Sequence, residues 1–152
     1  MSTFTTPSGV LEVAHDDHYI YTAQFIEKHK TSSPSHPLSL LINDELSAYF
    51  ADPSHRFQLP LKPQGSAYQQ KVWSALLVIP VGRTLTYGEL AHKLQSSPRA
   101  IGQACKKNPL TLFIPCHRIV GKNNLGGYMG NLEALLSYKS SLLAHEAKNL
   151  QS

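Results

Sequence analysis

The sequence predicts an α+β fold, with a small N-terminal antiparallel sheet and one helix followed by a mainly helical, winged-helix-like half built on a helix-turn-helix. Three observations carry this. Short apolar and β-branched runs broken by turn residues fill the first 26 positions. From Ser66 onward, apolar residues recur at helical spacing behind serine and threonine caps. Between these stretches lies "FQLPLKPQG" (57–65), with two prolines and a glycine, which reads as a linker. The domain boundary falls there, giving a support domain over 1–62 and a second domain over 63–152.

"TFTT" is followed by a turn at Pro7-Ser8-Gly9, then "VLEVA", a polar link at Asp16-Asp17-His18, and "YIYTAQF". This pattern predicts a three-stranded meander. After a polar loop around Ser32 to Pro37, Leu38, Leu41, Ile42, Leu46, Tyr49 and Phe50 recur at helical spacing until Asp52-Pro53 stops them. Past the linker, Ser66 caps a helix with the stripe Tyr68, Val72, Leu76 and Ile79, ended by Pro80-Val81-Gly82. "TYGELAHKL" pairs Thr86 with Glu89 three residues on, a capping-box signature, and sets Leu90, Ala91 and Leu94 on one face. "SSPRAIGQACKKN" offers Ser97 as cap, Pro98 at the first helical position, a buried stripe of Ile101, Ala104 and Cys105, and Asn108-Pro109 as stop. Two short helices joined by about three residues make a helix-turn-helix. The glycine-rich "GKNNLGGYMGN" (121–131) lacks the Gly-Lys-Ser/Thr ending of a phosphate loop and reads as a lid or pocket wall. A leucine-rich C-terminal helix follows it, with Leu132, Leu135, Leu136, Leu142 and Leu143.

The totals narrow the function. No apolar run approaches the roughly 20 residues needed to span a bilayer, and "MSTFTTPSGV" does not resemble a signal peptide, so a cytoplasmic protein with no membrane contact is expected. The two cysteines, Cys105 and Cys116, are then reduced thiols. Charge is unevenly spread. Residues 1–60 set three cationic side chains against seven carboxylates, a formal −4, whereas 61–132 set nine against Glu89 alone, a formal +8. So basic a segment in a modestly basic chain points to a polyanion. On the second helix of the pair, Arg99, Gln103, Lys106 and Lys107 lie away from the Ile101-Ala104 stripe, while Ala100 and Gly102 keep the surface small. That combination suits close approach to a minor groove.

"FIPCHRIV" (113–120) places Cys116, His117 and Arg118 side by side between apolar residues. A buried strand has no use for such a cluster, because each unpaired polar group costs roughly 1–3 kcal/mol. A thiol near its ordinary pKa of about 8.5 needs a neighbour that favours the anion, and His117 and Arg118 qualify. Neighbours on an extended chain point to opposite faces, so His117 reaches Cys116 through a turn after Pro115 or through a water. The histidines at 15, 18, 29, 36 and 55 lie in polar segments without cysteines and form no zinc-finger spacing, and Cys105 reads as a packed small hydrophobe. No metal and no cofactor is expected.

"IPCHRIV", with "KVWSALLVIPVGRTLTYGELA", "RAIGQACKKNP" and "LGGYMGNL", closely resembles the O6-alkylguanine-DNA alkyltransferase family, also called methylated-DNA-protein-cysteine methyltransferases. The likeness is weaker upstream, in "TPSGVLEVA" and "LSAYFADPSHRFQLPL". It implies DNA repair by direct reversal: a monomer binds duplex DNA in the minor groove, flips out O6-alkylguanine, with O4-alkylthymine as a further substrate, and transfers the alkyl group once, irreversibly, to Cys116. By the same resemblance, His117 shares the thiol proton through a water with Glu146, and Asn108 braces the turn carrying the cysteine. Arg99 fills the gap left by the flipped nucleotide, and Tyr87 assists the flip and donates toward the base. Cys105, the Ile119 carbonyl, Tyr128 and Met129 line the guanine pocket, and Arg118 joins Arg99, Ala100, Gly102, Gln103 and Lys106 on the DNA. Two non-catalytic rivals, a lesion-binding alkyltransferase-like protein and a helix-turn-helix regulator, fit the charge. The first carries tryptophan where Cys116 stands, and the second leaves "PCHR" unexplained.

Overall fold

The computed structural model describes residues 2–26, 36–121 and 132–147, with side chains from 138 onward in the last stretch. The chain divides into two compact units, Met1–Gln64 with Pro109–Phe113, and Gly65–Asn108 with Ile114–Ser152. Pro109–Phe113, read from the sequence as part of the second domain, groups with the first unit because its backbone pairs there. The Ala23 amide donates to Pro109 O at 2.8 Å, and the Thr111 amide donates to Ala23 O at 3.0 Å. No helix among the described residues is long and apolar enough to cross a membrane.

In the first unit, β1 (Ser2–Thr6), β2 (Gly9–His15) and β3 (Ile20–Ile26) form the expected antiparallel meander in the order β1-β2-β3. Gly9 supplies the turn with φ 135°, a conformation that side-chain-bearing residues rarely adopt. Alternation puts Leu11 and Val13 on one face, where Phe4, Ala23 and Phe25 join them in the core. Helix α1 (Pro37–Ala51) packs Leu38, Ile42, Leu46 and Tyr49 inward. Its cap is His36, whose Nδ1 accepts from the Leu38 amide at 3.1 Å. Leu41, placed on the stripe by the sequence pattern, is exposed: the other four complete the buried face, and position 41 lies about a quarter turn off its centre.

The second unit follows its caps closely. Helix α2 (Ala67–Leu77) starts at Ser66 in a full capping box with Gln69, and α3 (Tyr87–Leu94) starts at Thr86 in a full capping box with Glu89. Helix α4 (Pro98–Lys106) starts at Ser97, whose Oγ accepts from the Ala100 amide at 3.1 Å. The α3–α4 turn is closed by Gln95 in the left-handed region, φ 54°, which reverses the chain in so short a link. A two-residue parallel pair, β4 (Leu85–Thr86) with β5 (Ile119–Val120), had no signature in the sequence because strands this short show no alternation. Helix α5 (Leu132–Ala147) ends the described chain.

Trp73 centres this unit, buried, with its indole N–H donating to Ala104 O at 2.9 Å, which ties α2 to α4. Gly65 sits against that ring. A Cβ there would stand 2.4 Å from Trp73 Cη2 and 2.7 Å from Gln69 Oε1. Gly→Ala changes usually stabilise by restricting the unfolded chain, by about 0.4–1 kcal/mol. Here the hydrogen bond holds the indole in place, so overpacking of about 1–3 kcal/mol wins. Gly65→Ala should therefore lower the urea midpoint; a raised midpoint would mean that the ring moves aside.

Candidate active site

All the described candidate residues belong to the second unit. Pro115 begins the local geometry. With φ −80° and ψ 65° it makes an inverse γ-turn, in which the Cys116 amide donates to Ile114 O at 2.8 Å. The chain then tightens into a single 3₁₀ turn, Cys116–Arg118, so the Cys-His-Arg cluster stands on a turn and not on a strand. Asn108 reinforces it: its Nδ2 donates to the same Ile114 carbonyl at 3.0 Å. Both lone pairs of that carbonyl are thereby used, and the entry to the turn is held from two sides.

Cys116 and His117 are both buried. His117 Nε2 lies 2.7 Å from Glu146 Oε2, and the carboxylate can only accept, so the hydrogen is on Nε2. Nδ1 then carries a bare lone pair, and it has no hydrogen-bond partner among the described residues. Burial holds the His117 pKa below its ordinary value despite the opposing pull of Glu146, which keeps the ring neutral and able to take a proton. Burial alone would raise the Glu146 carboxyl, but hydrogen bonds from His117 and Arg118 outweigh it and hold the carboxyl well below the usual carboxylate range.

Arg118 corrects an expectation. Read from the sequence as a DNA contact, its guanidinium turns inward: Nε donates to Glu146 Oε1 at 2.8 Å, Nη2 to Glu146 Oε2 at 2.9 Å, and Nη1 to Ile79 O at 2.7 Å. The reason is the cost of burying Glu146, which a bidentate guanidinium offsets better than any other side chain.

Tyr87, the first residue of α3, has a buried hydroxyl without a hydrogen-bond partner among the described residues. Burial pushes its pKa up, so the group stays a neutral donor. Cys105 is fully buried on the α4 stripe, with its thiol pushed up by burial as well. Gly102 faces the Tyr87 ring, since an added Cβ would lie 3.9 Å from Tyr87 Cε1. Sequence reasoning missed Lys139, which is buried on α5 with Nζ donating to Ile119 O at 2.5 Å. A signal existed: Lys139 and Glu146 are seven residues apart with Leu142 between them, on one helical face. The Ile119 carbonyl assigned to the guanine pocket is thus already accepting from Lys139. Tyr128 and Met129, with the glycine-rich stretch around them, lie outside the described residues. No cluster of three or more histidine, cysteine or acidic side chains that could hold a metal occurs among the described residues.

Residues 67–148 match the family model described as "6-O-methylguanine DNA methyltransferase, DNA binding domain". The chain belongs to the methylated-DNA-protein-cysteine methyltransferase family. Among family members, it is 41% identical over 113 residues to the Methanosarcina mazei methyltransferase, covering 72% of this chain and 69% of that one. It is 37% identical over 143 residues to the constitutive Bacillus subtilis enzyme, covering 86% of each. The crystal structure of the Mycobacterium tuberculosis O6-methylguanine methyltransferase superposes with a TM-score of 0.82 at 32% identity, covering 97% of this chain and 92% of that one. The same family's M. tuberculosis OGT, crystallised in complex with DNA, gives 0.80 at 33% identity, covering 97% and 92%. On the helix-turn-helix of this family member, Arg99, Gln103 and Lys106 are exposed along α4, while Ala100 and Gly102 are half-buried beside them.

Proposed function

We propose that the protein repairs duplex DNA by moving the alkyl group of O6-alkylguanine, with O4-alkylthymine as a further substrate, onto Cys116 in a single turnover. One observation carries this reading: His117, beside Cys116, has Nε2 fixed on Glu146 and Nδ1 left bare in a buried site. Such a ring accepts the Cys116 proton, directly or through a water, and Glu146 stabilises the imidazolium that forms. The thiolate attacks the alkyl carbon, the carbon–O6 bond breaks, and the electron pair leaves with guanine. The proton lost by the thiol balances the one gained by the released base. Tyr87, a neutral buried donor, supports the developing charge on the base. The thioether product has no leaving group, so one molecule repairs one lesion.

The base must leave the stack to reach a buried sulfur. The exposed Arg99 of α4 fills the gap it leaves, and the small Ala100 and Gly102 let the helix approach the minor groove, with Gln103 and Lys106 on the phosphates. Two rates test the placement. Arg99→Ala should slow repair of alkylated guanine in duplex DNA by roughly ten- to a hundredfold, and leave reaction with a free O6-alkylated guanine base nearly unchanged. Equal slowing of both would assign Arg99 to the pocket or the fold. Titrating lesion DNA with protein should remove one lesion per molecule and no more; catalytic turnover would overturn the single-use reading.

A further inference from the structure

We propose that Tyr68 is a positioning residue for duplex repair: from α2 it holds the link between α3 and α4 through Ser96, and so fixes where Arg99 stands. The inference rests on Arg99 filling the gap left by the flipped base, as proposed above. The link is three residues long, Gln95–Ser97, and contains no glycine. Gln95 nevertheless takes the left-handed conformation, φ 54° and ψ 49°, in which glycine is the favoured residue. Two side chains of α2 bracket it. Lys71 Nζ donates to Leu94 O at 3.3 Å, and the Tyr68 hydroxyl lies 2.5 Å from Ser96 Oγ. Positions 68 and 71 share one face of α2, and their partners are the residues immediately before and after Gln95. Lys71 is exposed whereas Tyr68 and Ser96 are half-buried, so the hydroxyl pair is the stronger of the two ties.

What the tie holds is the start of α4. Ser97, next to Ser96, accepts from the Ala100 amide through Oγ at 3.1 Å and from the Ile101 amide through its carbonyl at 3.0 Å. Pro98 follows with a restricted φ, and Arg99 is the second residue of the helix. A displacement of Ser96 therefore passes to Arg99 with little slack. The rest of α4 is anchored without Tyr68: Ile101, Ala104 and Cys105 are buried, and Trp73 Nε1 donates to Ala104 O. Freeing Ser96 loosens the first turn alone, where Arg99 must enter a base stack, and leaves Gln103 and Lys106 in place for the phosphates. The effect falls on flipping, and not on affinity or on the cysteine turn.

The test is single-turnover repair of O6-methylguanine in duplex DNA at saturating protein. Tyr68→Phe should lower the maximal rate roughly three- to tenfold, matching the loss of one hydrogen bond, with duplex affinity and the reaction of a free O6-alkylated guanine base each within about twofold of the unmodified protein. Ser96→Ala should do the same, and the double variant no more. Because Tyr68 acts through Arg99, Tyr68→Phe should add nothing to Arg99→Ala. A Tyr68→Phe protein that repairs duplex at full rate, is slowed equally on the free base, or is additive with Arg99→Ala would overturn the proposal. A measurement without DNA keeps it separate from the function proposed above: by hydrogen exchange, the Ala100 and Ile101 amides should exchange several times faster in Tyr68→Phe and in Ser96→Ala, while the Lys107 amide at the far end of α4 keeps its rate. Unchanged exchange would refute the tie whatever Arg99 does on DNA. Faster exchange in a protein whose duplex repair Arg99→Ala does not slow would fault the placement of Arg99, and the role of Tyr68 with it.

Discussion

Cys116→Ser should abolish alkyl transfer, with a loss of more than about a thousandfold, while leaving duplex affinity within about twofold of the unmodified protein. The first part follows from acidity. His117 is a neutral, buried ring whose pKa is depressed; it can take a proton from a thiol but is far too weak a base to generate an alkoxide. The second part follows from where affinity comes from. Arg99, Gln103 and Lys106 are exposed on α4, whereas Cys116 is buried on the turn behind Pro115 and offers nothing to phosphates. Rates of lesion loss and gel-shift affinities at fixed salt separate the two; parallel loss of both would make Cys116 a structural residue.

Glu146 carries the second large effect, on stability as well as chemistry. Glu146→Ala removes the acceptor of His117 Nε2 and of two Arg118 nitrogens in a site that is 1% exposed, leaving a mostly buried guanidinium with one carbonyl partner, Ile79 O. Breaking such a pair from one side costs about 3–5 kcal/mol, enough to lower the melting temperature sharply. Glu146→Gln keeps the shape and one Arg118 acceptor. Because both carboxylate oxygens accept from Arg118, its NH2 meets a guanidinium N–H, so part of the stability is lost as well as the chemistry. Its amide can donate to Nε2, which moves the ring hydrogen to Nδ1 and removes the base, so transfer should fall on the order of a thousandfold in a folded protein. The pH dependence follows the same residue. Its carboxyl is held below the ordinary value in the fold, so its stabilisation is present above the unfolded pKa of about 4.3 and is lost as pH falls through and below that range. Acid melting of Glu146→Gln should lack this contribution. An unmodified protein no more acid-sensitive than Glu146→Gln would contradict the pairing.

Much of this was legible from local rules. Ser66, Thr86 and Ser97 announced their helices because capping is a matter of three or four consecutive residues, and Pro7-Ser8-Gly9 announced the first hairpin for the same reason. Asn108 was assigned to bracing the cysteine turn only through family likeness, and its bond to Ile114 O fits that assignment. What stayed hidden depends on distant partners. Arg118 reads as one more cation in a basic segment until Glu146, 28 residues later, is seen to claim it. Lys139 reads as a solvated lysine until its carbonyl partner, Ile119, 20 residues earlier, appears. The pairing of Ala23 with Leu110, which draws Pro109–Phe113 into the first unit, joins residues 87 apart and leaves no local mark.

The most direct test is the peptide mass of the protein after incubation with duplex DNA containing a single O6-methylguanine. The account predicts that the Cys116 peptide alone gains one methylene, in amount equal to the guanine restored and never exceeding the protein present. Restored guanine with an unmodified Cys116 peptide, or methylation on Cys105 instead, would contradict it.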